Sequence, residues 1–352
     1  MTYHVFNSDK KFTLESGREI PGFHLSYTTY GKLNASKDNV VWVFHALTAN
    51  SDAAEWWPGL VGDGKIFTPK KYFIVCVNIP GSCYGSIGPL SINEETGQPY
   101  YHDFPFFTIK DMVNAYQFLK KFLGIDKIHI GIGGSMGGQQ LLEWAIEEPE
   151  LFDFIFPLAT NAQHSPWGIA FNTSQRLSIE ADSTWKEKQK NAGIEGMKAA
   201  RSIALISYRH YYTYALGQTE DTDEKFDNFK SSSYQKYQGE KLAKRFNAFS
   251  YYYLSKSMDS HNVGRGKAGI TEALQRIKAK TLVIGITTDL LFPLPEQQLI
   301  AENIKGAEYK AIQSLYGHDG FLLEFEQIEN LINDFLAKET TKKKFEINYD
   351  NT

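Results

Sequence analysis

Apolar runs without polar alternation recur along the chain, separated by amphipathic segments. Four of them are rich in β-branched and aromatic residues, a pattern typical of strands that are buried on both faces of a parallel sheet. These runs are VVWVFHAL (40–47), YFIVCVNI (72–79), KIHIGIG (127–133) and FDFIFPLA (152–159). Further along, TLVIGITTD (281–289) predicts another strand, and a last strand is expected near YKAIQS (309–314).

In the segments between these runs, apolar residues recur at the spacing of an α-helix. TIKDMVNAYQFLKKFLG (108–124) starts with a candidate threonine N-cap and ends with glycine, and GGQQLLEWAIEEPELF predicts a helix that stops near Pro149. FLLEFEQIENLINDFLAK (321–338) predicts a closing amphipathic helix, and KKFTLESGREIPGFHLSYTTYG an early antiparallel hairpin. The alternation predicts an α/β fold whose mostly parallel central sheet is flanked by helices.

Residues 165–270 break the alternation, because they are helical in pattern and carry no strong β run. They are rich in tyrosine, and we interpret most of these rings as filling the core of the segment itself. A helical insertion between two halves of an α/β sheet also favours a lid over the carboxyl edge of the strands, where such folds bind ligands. We therefore predict a core of residues 1–164 and 271–340, a helical lid of residues 165–270 and a frayed tail at 341–352.

Composition and charge are ordinary for an enzyme-sized globular protein. Of the 352 residues 42% are hydrophobic, and the formal charge of −4 gives no overall attraction for nucleic acid. No apolar run approaches the length of a membrane span, and the first residues do not resemble a secretory signal. Cys76 and Cys83 are interpreted as reduced core thiols. A cytoplasmic protein with neither nucleic-acid nor membrane partners is the expectation.

The segment GIGGSMGGQQLLEWA (131–145) places one serine among five glycines. The dinucleotide-binding pattern G-x-G-x-x-G fails at Met136, whereas the nucleophile elbow G-x-S-x-G is met by Gly133, Ser135 and Gly137. In such an elbow the serine occupies a strained strand-to-helix turn, so that the residues two positions to either side must lack side chains. The helix that follows aims free N–H groups at the reacting oxygen. A tight structural turn is the alternative, and the strand–turn–helix context favours a catalytic serine.

A nucleophilic serine needs a base, and the base needs an orienting group. In elbow enzymes the partners follow in the chain order serine, acid, histidine. Asp289 ends a predicted strand, where it alone could equally be a helix N-cap, and His318 lies between the last strand and the last helix. His45 ends the first long strand, where the backbone after it could supply an oxyanion donor. No zinc, paired-cysteine or P-loop motif is present, so no metal is expected.

Seven motifs, spread over nearly the whole chain, resemble the homoserine O-acetyltransferases of methionine biosynthesis, which are α/β-hydrolase-fold enzymes. They are FHALTANSDAAEWWPGLVGDGK, VNIPGSCYGSIGPLSINEETGQPY, IGGSMGGQQLLEWA, FNTSQRLSI, RFNAFSYYYLSKSMD, DLLFP and YGHDGFLLE. The chain departs from the family pattern at four positions, none of which is a catalytic group. Ala49 replaces a glycine, Ile87 and Leu90 replace small polar residues, and Leu290 replaces a tryptophan. These changes leave the shape of the acyl pocket open.

The resemblance implies roles for the residues of the elbow and its partners. Ser135 would be the nucleophile, His318 the base and Asp289 the group that orients the base. The backbone N–H groups of Leu47 and Met136 would form the oxyanion hole.

The resemblance also implies an acceptor site. Arg201 and Tyr208, seven residues apart on a lid helix, would hold the amino-acid substrate with Asn50 nearby, and Asp319 would face the substrate ammonium. From the residues alone, Arg201 reads as a surface cation and Asp319 as part of a capped loop. The resemblance is what favours a binding role for both.

The implied reaction is acetyl transfer from acetyl-CoA to the hydroxyl of L-homoserine through an acyl-serine, by a ping-pong mechanism. Acetyl-CoA is then a substrate, and no permanently bound cofactor is expected. The alternatives are a homoserine O-succinyltransferase, an L-serine O-acyltransferase, or a serine esterase, which would not need Arg201 and Asp319. The resemblance further implies a homodimer that forms through the helical lid.

Overall fold

The computed structural model describes residues 2–350, and the side chains of residues 2–341. Within these residues an eight-stranded sheet forms the centre of the molecule. Its strands are β1 (Thr2–Ser8), β2 (Phe23–Tyr30), β3 (Val40–Phe44), β4 (Phe73–Val77), β5 (Ile128–Gly134), β6 (Phe152–Leu158), β7 (Lys280–Ile286) and β8 (Glu308–Ile312). The order across the sheet is β1-β2-β4-β3-β5-β6-β7-β8. Only the pairs β1–β2 and β2–β4 are antiparallel, so the predicted mostly parallel sheet is confirmed.

Alternate residues of the central strands enter two separate hydrophobic clusters, one on each face of the sheet. In β3, Val40, Trp42 and Phe44 belong to one cluster, and Val41 and Val43 to the other. Because side chains of a strand point alternately to opposite faces, a strand that is covered on both faces must be apolar at every position. This explains the continuous apolar runs of the sequence.

Helices cover both faces of the sheet. They are α1 (Ala53–Trp56), α2 (Ile109–Phe122), α3 (Met136–Glu147), α4 (Pro166–Glu180), α5 (Ile194–Tyr208), α6 (Tyr211–Gln218), α7 (Lys230–Ala243), α8 (Ala248–Asp259), α9 (Ile270–Leu274), α10 (Leu294–Asn303), α11 (Gly320–Leu323) and α12 (Phe325–Asp350). The predicted N-cap of α2 is confirmed, because the Thr108 hydroxyl accepts from the Asp111 N–H while the Asp111 carboxylate accepts from the Thr108 N–H. Two short hairpins, Phe12–Thr13 with Glu19–Ile20 and Ile92–Asn93 with Gln98–Pro99, stand outside the main sheet.

The segment between β6 and β7 is built from α4 to α9. Where the chain leaves and re-enters the sheet region, the backbones of residues 162–164 and 261–263 pair with each other. The interpretation of the tyrosines in this segment is correct for Tyr251, which is fully buried, but wrong for Tyr211, Tyr212 and Tyr237, which are 55–74% exposed. The exact division into core and lid stays a prediction.

The structure continues α12 to Asp350, where the sequence predicted a frayed tail from residue 341. The segment ETTKKKFEIN contains neither proline nor glycine, the two residues that most often end a helix, so nothing in it stops the pattern at residue 341. Residues 351 and 352 of the predicted tail lie outside the described part of the chain. None of the helices in residues 2–350 combines the length and apolarity that crossing a membrane requires.

Candidate active site

Ser135 occupies the turn between the end of β5 and the start of α3, with φ 57° and ψ −127°. A positive φ is costly for a residue with a side chain, and it persists only where the surroundings fix it. Here the Ser135 N–H donates to the Leu158 carbonyl at 3.0 Å, and the Thr160 hydroxyl donates to the Ser135 carbonyl at 2.8 Å. The backbone of β6 and the residues after it thus hold the strained turn in place.

The glycines around Ser135 leave no room for side chains, as the elbow motif predicts. A Cβ on Gly133 would lie 2.6 Å from the Gly137 carbonyl, and one on Gly137 would lie 2.2 Å from the Phe44 carbonyl oxygen. A Cβ on Gly134 would lie 2.4 Å from the ring of Phe321. β5, α3 and β3 therefore approach one another closely enough only because these positions are glycine.

His318 and Asp289 are buried and bonded to each other, with 2.7 Å between His318 Nδ1 and Asp289 Oδ2. The other carboxylate oxygen, Asp289 Oδ1, accepts from the Leu291 and Phe292 N–H groups at 2.8 and 2.9 Å. Because a carboxylate only accepts, Nδ1 carries the proton, and Nε2 of the neutral ring is the basic nitrogen. Asp289 does not cap α10, whose N-cap is Pro293. The alternative interpretation of Asp289 as an N-cap is therefore wrong.

The ring of Phe321 links the elbow to this pair. It covers Gly134, the neighbour of Ser135, and its centroid lies 5.3 Å from that of the His318 imidazole. On another side, Phe292 stacks on His318 at 5.0 Å. Among the described residues no direct hydrogen bond joins the Ser135 hydroxyl to His318. Catalytic hydrogen bonds are often long in a protein without substrate and tighten when the substrate binds.

The two N–H groups predicted to form the oxyanion hole come from separate segments. Met136 is the first residue of α3, so its N–H has no acceptor within the helix and lies at the positive end of the helix dipole. Leu47 follows β3 in a loop and is buried. The buried Gln140 side chain donates to the carbonyls of both His45, at 3.3 Å, and Met136, at 3.0 Å. It thereby ties the Leu47 loop to the start of α3.

Three of the four residues predicted to bind the acceptor line one cavity. Its volume is about 410 Å³, and Asn50, Arg201 and Asp319 all line it. Tyr208 is placed between this cavity and the base, since its ring lies 5.4 Å from the Arg201 guanidinium carbon and 5.7 Å from the His318 ring. The cavity wall also includes Arg209, Lys241 and Arg245.

Arg209 pairs with Asp319, a contact that was not predicted from the sequence. Its Nε lies 3.1 Å from Asp319 Oδ2. Burial raises the pKa of Asp319 above the usual range, and the positive charges of Arg209 and Arg201 oppose that rise. The sequence carried no signal for this pair, because Arg209 lies beyond the end of α5 in extended backbone and only the fold brings it to the distant Asp319.

Arg245 is a second residue of the site that was not predicted from the sequence. Its Nη1 donates to the Thr48 carbonyl and to the Tyr84 hydroxyl. Thr48 directly follows Leu47, so this bond of Arg245 stabilises the loop that carries a predicted oxyanion donor.

In the part of the chain that the structure describes, no group of three metal-ligating side chains is found.

Comparison with known proteins places this geometry in a family. The family described as the α/β hydrolase fold matches residues 39–325. A homoserine O-acetyltransferase of Cyclobacterium marinum is 51% identical over 95% of both chains, and one of Trichormus variabilis is 41% identical over 92% of this chain and 91% of the relative.

Solved structures similar to this fold include both a transferase and an esterase. The homoserine O-acetyltransferase of Bacillus anthracis superposes with a TM-score of 0.88 at 26% identity, covering 95% of this chain and 97% of the other. Esterase E22 superposes with a TM-score of 0.85 at 25% identity, covering 95% and 99%. Backbone similarity alone therefore does not separate acyl transfer from ester hydrolysis, whereas sequence similarity favours the transferases.

Proposed function

The chain belongs to the homoserine O-acetyltransferases, a family of α/β-hydrolase-fold acyltransferases, and we propose that it performs their reaction through an acetyl-enzyme on Ser135. The observation that carries this mechanism is the buried 2.7 Å hydrogen bond between His318 and Asp289, beside a strained serine at the end of β5. The bond holds the imidazole in the tautomer that can accept the serine proton.

In the first half-reaction, Ser135 Oγ attacks the thioester carbonyl carbon of acetyl-CoA while His318 Nε2 takes the serine proton. The carbon–sulfur bond then breaks, and the CoA sulfur leaves with the proton from His318. The Leu47 and Met136 N–H groups stabilise the negative oxygen of the tetrahedral intermediate. Donors of this kind contribute about 3–4 kcal/mol each to the rate.

In the second half-reaction, the homoserine hydroxyl gives its proton to His318 and attacks the acetyl carbonyl carbon. The bond to Ser135 breaks, the serine recovers the proton, and O-acetylhomoserine leaves. Water competes for the same acetyl group, so transfer depends on positioning the acceptor, which contributes up to about 7–11 kcal/mol in well-oriented reactions.

The charges of the 410 Å³ cavity support an amino-acid acceptor. Arg201, which has no carboxylate partner among the described ion pairs, would bind the acceptor carboxylate, and Asp319 its ammonium. Tyr208 would close the space between Arg201 and His318, and Asn50 would form part of the cavity wall. An acetyl thioester has neither of the two charges, so these residues would act only in the second half-reaction.

Hydrolysis is the second candidate function, because esterase E22 shares the fold over nearly its whole length. The experiment that separates the two is intact-mass spectrometry of the protein mixed with acetyl-CoA, followed by homoserine, serine or buffer alone. A transferase forms an acetyl-enzyme that homoserine discharges much faster than water. Equal discharge in all three solutions would make the protein an esterase. Faster discharge by serine, or acylation by succinyl-CoA instead of acetyl-CoA, would select one of the other acyltransferases.

Exposed apolar side chains of the helical segment support a homodimer formed through it. Leu216 is 78% exposed and Phe226 is 97% exposed, in the same stretch as the exposed tyrosines. Sedimentation equilibrium should give twice the 40.0 kDa mass of the chain, and Leu216→Lys should lower that mass toward one chain. A cytoplasmic location, where acetyl-CoA is available, stays a prediction.

A further inference from the structure

The imidazole of His45 is fully buried, and both of its nitrogens are bonded to the backbone. His45 Nδ1 lies 2.8 Å from the carbonyl oxygen of Ala46, and His45 Nε2 lies 3.0 Å from the N–H nitrogen of Ile79. The mechanism described above uses neither contact.

The two partners fix the tautomer of the ring. A carbonyl oxygen only accepts and a backbone N–H only donates, so Nδ1 must carry the proton and Nε2 must be unprotonated. Burial lowers the pKa of His45 to about 4, so the ring stays neutral and keeps both bonds near neutral pH.

The bond to Ala46 acts on the peptide that contains the Leu47 N–H. The Ala46 carbonyl and the Leu47 N–H belong to one planar trans peptide and point in opposite directions. A donor that fixes the carbonyl on one side therefore fixes the direction of the N–H on the other. The Ala49 N–H donates to the same Ala46 oxygen at 3.1 Å, which holds the peptide from a second direction.

We propose that His45 is a positioning residue, which aims the Leu47 N–H at the oxyanion and strengthens it as a donor. The hydrogen bonds form one directed chain, from the Ile79 N–H through the imidazole to the Ala46 carbonyl, and from the same peptide through the Leu47 N–H to the substrate oxygen. Bonds in such a chain polarise one another. The inference rests on the proposed function, because Leu47 has an oxyanion to bind only if Ser135 forms an acyl-enzyme.

Two substitutions separate this role from simple packing, since each keeps one of the two ring contacts. The amide nitrogen of His45→Asn falls near the position of Nδ1 and keeps the donor to Ala46, while the contact with Ile79 is lost. The amide oxygen of His45→Gln falls near Nε2 and keeps the acceptor for Ile79, while the donor to Ala46 is lost. Both substitutions disturb one buried hydrogen bond, so similar decreases in melting temperature are expected.

The measurement is the single-turnover rate of Ser135 acetylation by acetyl-CoA, with its concentration dependence. Complete removal of an oxyanion donor lowers kcat about 100- to 1,000-fold, so misdirecting one donor in His45→Gln should lower the rate by about 10- to 100-fold. The half-saturating acetyl-CoA concentration should change little. His45→Asn should stay within about fivefold of the wild-type rate, which is the rescue that a packing role does not predict.

Equal rate losses in the two variants, or a His45→Gln rate close to wild type, would overturn the inference while wild-type acetylation of Ser135 still supports the proposed function. A wild-type protein that forms no acetyl-Ser135 would overturn both. If His45→Gln does not fold, ¹⁵N NMR of the wild-type imidazoles decides the matter. A protonated Nδ1 and an unprotonated Nε2 for His45 at neutral pH are required, and the opposite tautomer or a cationic ring would contradict the proposed orientation.

Discussion

The Nε of Arg209 lies 3.1 Å from the Asp319 carboxylate. Arg209 directly follows α5, the helix that carries Arg201. Asp319 therefore has a counter-ion before any substrate arrives, and Arg201 lines the same cavity. A substrate ammonium that reaches Asp319 must share it with Arg209 or displace the guanidinium.

Removing the acceptor charges should separate the two half-reactions. Arg201→Ala and Asp319→Ala should leave acetylation of Ser135 largely intact, because the thioester carries neither complementary charge. Discharge by homoserine should fall about 30-fold to several thousand-fold, since losing one member of a desolvated charge pair costs roughly 2–5 kcal/mol. Rapid-quench mass spectrometry measures both steps.

A matched control for Arg201→Ala lies on the same helix. Lys198 pairs with Glu195 at 2.7 Å and with Glu240 at 2.9 Å, and it does not line the cavity. Lys198→Ala should therefore discharge its acetyl group at the wild-type rate. Unchanged discharge in both Arg201→Ala and Asp319→Ala would leave no basis for an amino-acid acceptor and would favour the esterase.

Replacing Arg209 should change how acceptor binding depends on pH. Burial raises the pKa of Asp319, and Arg209 opposes that rise, so the Arg209→Met variant should have a still higher pKa at Asp319. Only the ionised carboxylate attracts the ammonium, and binding is therefore lost as pH falls through this pKa. The KM for homoserine should rise at a higher pH in the variant than in the wild type, while the pH profile of Ser135 acetylation stays the same. Identical KM profiles would show that Arg209 does not influence Asp319.

Asp289→Asn tests the orientation of the base. The amide can donate to Nδ1 and so favours the tautomer with the proton on Nε2, which cannot accept the serine proton; in a comparable triad this change lowers kcat about 10⁴-fold. The nearby Glu296 provides the control, because its Oε2 bonds to the Asn161 side chain at 2.9 Å rather than to the histidine. Steady-state rates of Glu296→Gln should stay far above those of Asp289→Asn. The reverse order would assign the orienting role to Glu296.

Adding one methyl group to the elbow should disrupt it. A Cβ on Gly137 would meet the Phe44 carbonyl at 2.2 Å, so Gly137→Ala should lower the free energy of unfolding by about 3 kcal/mol or more, the range of severe steric and strain effects. Gly217 in α6 has open space around the same position, and Gly217→Ala should be neutral or stabilising by up to about 1 kcal/mol. Thermal or denaturant unfolding gives both values. A Gly137→Ala protein as stable as Gly217→Ala would contradict the close approach of β3 and α3.

The sequence predicts most strongly those features that leave a periodic or local signal. The two-sided burial of β3 appears as a continuous apolar run, and the close packing around Ser135 appears as glycine at 133 and 137. The Thr108 cap is equally local, because its partner Asp111 lies within one helical turn. Each of these features follows from residues that are neighbours along the chain, so its cause can be read from the amino-acid sequence.

Long-range contacts leave no comparable signal. Neither the pairing of Arg209 with Asp319 nor the bond between His45 and the Ile79 N–H follows from spacing, because the fold alone brings these segments together. The sequence could not show that the rings of Tyr211 and Tyr212 are exposed while the ring of Tyr251 is buried, because all three lie in helices of weak amphipathicity.

In the proposed reaction, the acetyl group passes through the hydroxyl of Ser135. The most direct test is peptide mass spectrometry of the protein quenched after mixing with acetyl-CoA alone, in wild type and in Ser135→Ala. We expect one acetyl group on Ser135 in the wild type, its removal by homoserine, and no adduct in Ser135→Ala, whose turnover falls by several orders of magnitude. A Ser135→Ala protein that keeps more than about a tenth of wild-type turnover, a difference below ~1.4 kcal/mol in barrier, would contradict this expectation.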